Sequence, residues 1–110
     1  MDYQTACELL TKHASPTGAD TFLVRLQTRQ PPVPGQVTSI LLALKVVADS
    51  LKQEAVLDRA LVTSLFDLSY GSRQYYERGR ESGVDWPPLL DEDLDRIAIA
   101  TRQIFAGSGQ

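Results

Sequence analysis

Gly83-Val84-Asp85-Trp86-Pro87-Pro88-Leu89-Leu90-Asp91-Glu92-Asp93-Leu94 holds the only tryptophan of the chain, a Pro-Pro pair and a dense run of acids. Gly83 is a natural left-handed stop for a preceding helix. Asp91 suits the N-cap of a following one, and Glu92, Asp93 and Asp95 put negative charge where the helix dipole favours it. The stretch therefore reads as a corner between two helices. Trp86 is expected to pack on apolar side chains at one end of a bundle and to hold the Val84–Leu90 connector there.

Upstream of the corner, residues 55–81 carry an apolar stripe at helical spacing: Leu57, Leu61, Leu65, Leu68, Tyr75. Small residues Ser64, Ser72 and Gly79 share it, and would let another element approach closely. The spacing predicts a helix of roughly 40 Å, with a kink or break at Tyr70-Gly71-Ser72. Downstream, Leu90, Leu94, Ile97, Ala98, Thr101, Ile104 and Phe105 line one face of a last helix, which Gly107-Ser108-Gly109 ends.

Further out, residues 36–52 are apolar over most of their circumference, which predicts a central third helix packed on the fourth helix (residues 55–81) and on the fifth, which starts near Asp91. Residues 2–14 and 19–30 read as two shorter helices separated by Ser15-Pro16-Thr17-Gly18. Asp2 suits the first N-cap. Pro31-Pro32-Val33-Pro34-Gly35 is a stiff connector, because proline fixes φ and removes a donor. No strand alternation and no fixed-period repeat occurs. The expected fold is all-α, a four- to five-helix bundle forming a single domain over residues 1–110.

The bulk numbers narrow the function. With 110 residues and 43% apolar composition, the chain can bury a modest core. A net charge of −3 argues against nucleic acid or anionic membrane as a partner. No apolar run approaches the ~20 residues of a membrane span. Met1-Asp2-Tyr3-Gln4 lacks the pattern of a signal peptide. One cysteine, Cys7, cannot form an internal disulfide, so the expected setting is the reducing cytoplasm. Cys7 reads as a small buried hydrophobe.

Candidate chemistry is sparse. Glu92 and Asp95 form an E-x-x-D step of the kind that all-helical nucleotide pyrophosphohydrolases use for Mg²⁺, and Glu77 and Glu81 could oppose it. A metal-dependent nucleotide-handling enzyme is thus the alternative reading. Helix capping explains the same acids more simply. His13 is the only histidine, and with Cys7 six positions away it forms neither a zinc site nor a nucleophilic pair. No catalytic, metal or cofactor-binding residue is assigned, and no cofactor is expected. Arg73, Tyr75, Tyr76, Arg78 and Arg80 make an aromatic and basic cluster, with Arg78 or Arg80 expected to pair with the acids of the corner.

Pro31–Ile40 and Gly83–Leu94 resemble two segments of a small cyanobacterial protein family whose members are often labelled dethiobiotin synthetase-like. The resemblance implies a cyanobacterial cytosolic setting and, as the label would have it, a dethiobiotin synthetase-like enzyme as a further alternative. A dethiobiotin synthetase needs a Gly-Lys-Thr loop after a strand to cradle phosphates. This chain contains no Gly-Lys pair, so the resemblance carries over no catalytic residue.

The remaining signal is surplus apolar surface. Leu42, Val62, Phe66 and Ile99 fall outside the intrahelical core stripes. Together with Arg73, Tyr76 and Trp86 they are the expected interaction residues of a non-enzymatic protein that binds a protein partner or a second copy of itself. Arg59, Arg73, Glu77 and Arg80 would form the rim around Val62 and Phe66. The first two helices are the other candidates to cover that face.

Overall fold

The computed structural model describes residues 1–107. Its helices are α1 (Tyr3–His13), α2 (Phe22–Gln27), α3 (Gln36–Leu51), α4 (Arg59–Phe66), α5 (Ser72–Glu81) and α6 (Leu90–Ala106). A π-helical turn, Asp67–Gly71, joins α4 to α5 without a break. The chain is therefore five helical rods and is all-α, as expected. Ser108 and Gly109 of the expected C-terminal stop lie outside the described residues, and Gly107 ends α6 at φ +77°.

Local chemistry sets the ends. Asp2 Oδ1 accepts from the Thr5 amide at 2.7 Å and caps α1. That bond holds the Asp2 carboxyl below its ordinary pKa. Asp58 is extended and accepts from Leu61 N at 3.0 Å, so the fourth rod starts at Arg59 rather than Ala55. Only six residues of α2 are helical. Arg29 turns left-handed at φ 65°, Gln30 N donates to Arg25 O and Arg29 N to Leu26 O, which closes the helix early. Gly83 closes α5 in the same pattern at φ +94°, with Val84 N on Gly79 O and Gly83 N on Arg80 O. Asp91 is not the N-cap of α6. A turn from Pro87 O to Leu90 N starts that helix two residues earlier, with Leu89 at the N-cap and Asp91 in the first turn.

Packing places α3 between α1 and α6, diagonally across from the α4–α5 rod. The fourth rod is not the close neighbour of α3 that the sequence predicts; α1 is. Ala6 and Leu10 of α1 are fully buried and fill that position, while α1 also meets α4 and α2 meets α5. One core runs through Leu10, Phe22, Leu26, Ile40, Leu44, Leu65, Leu68, Leu94 and Ile97. Cys7 is half-buried at its margin, so it is less enclosed than expected.

His13 ties the N-terminal half together. Its Nδ1 accepts from the Phe22 amide at 3.2 Å, and Gln36 Nε2 lies 3.5 Å from the same nitrogen. Gln36 also donates to Asp20 O at 2.8 Å and accepts from Val33 N at 3.0 Å. Burial, and then the charge of Lys12, lower the His13 pKa. The folded state therefore binds fewer protons than the unfolded one. Stability from this group is complete above the unfolded value of about 6.5 and is lost as pH falls from there through the folded pKa. His13→Asn can present an oxygen to Phe22 N without titrating in this range. Urea midpoints measured from pH 7.5 to pH 5 should fall more steeply for the unmodified chain than for His13→Asn. Equal slopes would contradict this role.

Candidate functional site

The π turn and α6 frame the candidate site. In a π turn the backbone bond reaches one residue further: Ser72 N donates to Asp67 O. The buried Ser72 hydroxyl takes up the Leu68 carbonyl. Phe66, just before this widened turn, and Tyr70, within it, stack with ring centroids 5.0 Å apart and planes at 19°. Both rings face solvent, 52% and 54% exposed. They form one wall of a groove of about 280 Å³ whose other wall is Leu94, Asp95 and Ala98 of α6, with Ser69 and Arg73 completing it.

Arg73 closes the groove at one end. Its Nη1 lies 2.6 Å from Asp91 Oδ1 and 3.7 Å from Glu77 Oε2, and its Nη2 lies 2.7 Å from Asp95 Oδ1. Nη2 also donates to Asp91 O at 3.0 Å. The guanidinium carbon lies 5.2 Å from the centre of the Tyr76 ring. Burial works against the charge, but hydrogen bonds and attraction from Asp91 and Asp95 outweigh it and raise the Arg73 pKa. The expected partner of the corner acids was Arg78 or Arg80. Instead Arg80 binds Glu77, and Arg78 lies over the Tyr75 ring at 5.9 Å. Arg73 reaches the acids because the π turn just before it lies against α6, and the two segments run in opposite directions.

Truncating the guanidinium tests this clamp. Arg73→Met should cost about 1 kcal/mol, since one cation serves three partly solvated carboxylates. Most of that cost should vanish in ~1 M salt, where screening acts over about 3 Å. Equal urea midpoints for both chains at low salt would contradict the clamp.

The other expected interaction residues lie in four different places. Val62 is half-buried, one turn before Phe66 on the same face of α4. Ile99 is 60% exposed on α6, next to Ala98. Leu42 is exposed on α3 in a stripe with Thr38, Lys45 and Asp49, and it does not line the groove. Trp86 is not an outer surface, and Tyr76 is half-buried beside it. Trp86 is 8% exposed and stacks on Tyr76 at 5.9 Å, and its Nε1 donates to Tyr76 O at 2.9 Å. Its ring lies against Gly79, where a β-carbon would stand 2.9 Å from Cε2. The first two helices leave Phe66 uncovered.

Ser69, Tyr70, Leu94, Asp95 and Ala98 line the groove without being among the expected interaction residues. Tyr70 follows Phe66 by four positions, the spacing of an aromatic pair on one helix face. Helical spacing puts Ala98 on the core stripe of α6, yet it is exposed at the stripe's edge.

The acidic step does not assemble an ion site. Glu92 turns to Arg96 at 3.7 Å, while Asp95 turns to Arg73. Among the described residues, no group of three or more His, Cys, Asp or Glu side chains is placed to hold a metal. No helix of the described residues is long and apolar enough to cross a membrane. A wider hollow of about 450 Å³ lies between His13, Asp20, Val33 and Gln36, whose polar groups already bind one another. No protein-family model, curated protein or solved structure matches this chain.

Proposed function

We propose that this protein is a non-enzymatic helical interaction module of the cytoplasm, and that the α4–α6 face is its docking surface. The observation that carries this reading is the stacked Phe66–Tyr70 pair. Two large aromatic rings stand in solvent beside an apolar groove, while the rest of their helices' apolar stripes are buried. Exposed aromatic clusters rimmed by charge mark protein–protein contacts, because rigid rings cost little entropy to bury. Arg73 and its three acids give that rim a fixed shape. The carboxylates most exposed to a metal reading are engaged by guanidinium groups, which favours binding over catalysis.

Site-directed photo-cross-linking in the native host tests it. A benzophenone side chain at Ser69, inside the groove, should give a discrete protein adduct. Phe66→Asp in the same chain should abolish it. A benzophenone at the exposed Gln53, away from the groove, should give no such adduct. Equal labelling at Ser69 and Gln53, or an adduct unaffected by Phe66→Asp, would contradict the proposal.

A further inference from the structure

Resting on that reading, we infer that the occupant of the face is a second copy of this chain, packed with its α6 antiparallel to the first about a two-fold axis at Ala98–Ile99. The charges of α6 are arranged symmetrically about that point. Asp95 precedes Ala98 by three residues, and Arg102 follows Ile99 by three. Seven residues apart, Asp95 and Arg102 lie on one face of the helix, roughly 10 Å from each other along its axis. A two-fold axis passing beside the helix midway between them brings each Asp95 opposite the other copy's Arg102, twice over. A parallel arrangement would instead set like charges together.

Both groups are available for this pairing. Arg102 is exposed and makes no ion pair among the described residues. Asp95 gives Arg73 only its Oδ1, and its side chain stays 70% exposed. What lies at the centre suits close approach. Ala98 is small, and Ile99 is the most exposed large apolar residue of α6. The antiparallel run of the fourth rod beside α6 puts Phe66 level with Ala98 in the shared groove. The axis therefore passes beside α6 at the level where the apolar middles of both helices meet. Isologous contacts require such self-complementarity, and two-fold dimers are the commonest assemblies.

Sedimentation equilibrium on the full chain tests the inference through a charge exchange. The unmodified protein should dimerise at tens of micromolar, an affinity ordinary for a small polar-rimmed interface. Arg102→Glu sets two like-charge pairs across the axis, and so does Asp95→Arg. Each variant alone should dimerise about tenfold more weakly. An equimolar mixture of the two restores opposite charge at both positions, so the heterodimer should recover most of the lost affinity. Circular dichroism checks that both chains remain helical. Ile99→Asp, which leaves the ion pairs intact, should give a helical monomer. A mixture no tighter than the separate variants would overturn the inference, as would a monomer mass for the unmodified chain at ~100 μM. The two proposals fail separately. A Ser69 adduct with the mass of a different protein would overturn the second copy and keep the docking face. Absence of any groove-specific adduct removes the docking face itself.

Discussion

Trp86→Ala is expected to destabilise the chain by about 3 kcal/mol, the ordinary cost of deleting a large buried aromatic. Three contacts are lost at once. The indole stacks on Tyr76, lies on the bare backbone of Gly79 and donates its Nε1–H to Tyr76 O. Tyr76 in turn supports the Arg73 guanidinium that holds Asp91 and Asp95. The ring therefore ties the corner before α6 to the last turns of α5. Urea unfolding followed by circular dichroism measures the effect. A change below ~0.5 kcal/mol would mean that the ring is not packed in solution.

Gly79→Ala is expected to destabilise by ~2 kcal/mol, although alanine is the better helix former by about 1 kcal/mol. The methyl group would stand 2.9 Å from Trp86 Cε2 and Nε1, so the ring has to leave its seat. Gly71→Ala is the contrasting case. Gly71 has ordinary helical angles, φ −60° and ψ −43°, and its nearest foreign atoms, on Leu23, would be 4.0 Å from the new carbon. That substitution should be neutral or stabilise by up to ~1 kcal/mol. The two variants together separate steric contact from backbone propensity. If both behave alike in urea unfolding, the contact between Trp86 and Gly79 is not the cause.

These glycines show what could be read from the sequence. Small residues on the stripe Ser64, Ser72, Gly79 pointed to a close neighbour, and Gly79 has one. The identity of that neighbour, Trp86, depended on a corner whose path no periodicity describes. Gly71 pointed to a kink, and the backbone there is instead a continuous π turn. Its extra residue changes which side chains face outward without interrupting the apolar pattern. The boundary at Asp58 was hidden for a related reason. Leu57 continues the helical spacing, but the Asp58 carboxylate binds Leu61 N and holds the backbone extended.

The helical class followed from the wide apolar stripes of residues 36–52 and 90–105, because a 3.6-residue period admits no strand. Which rod stands beside which did not follow. Amphipathic stripes state that a face is covered, and they leave the covering element open. At the candidate site, Phe66 and Ile99 were legible as apolar residues on the wrong side of their helices. Arg73 was legible only as part of a basic cluster. Its choice of Asp91 and Asp95 over other acids is set by the antiparallel level of two helices, which is a property of the packed structure.

The central claim is that the Phe66–Tyr70 face is covered when the protein is at work. Hydroxyl-radical footprinting read by mass spectrometry measures this directly, by comparing dilute purified protein with the protein labelled inside its native host. Phe66, Tyr70 and Ile99 should be oxidised readily in the dilute sample and strongly protected in the cell. Val56 and Leu89, exposed outside the groove, should react equally in both. Equal oxidation of Phe66 and Tyr70 in the two samples would contradict the account.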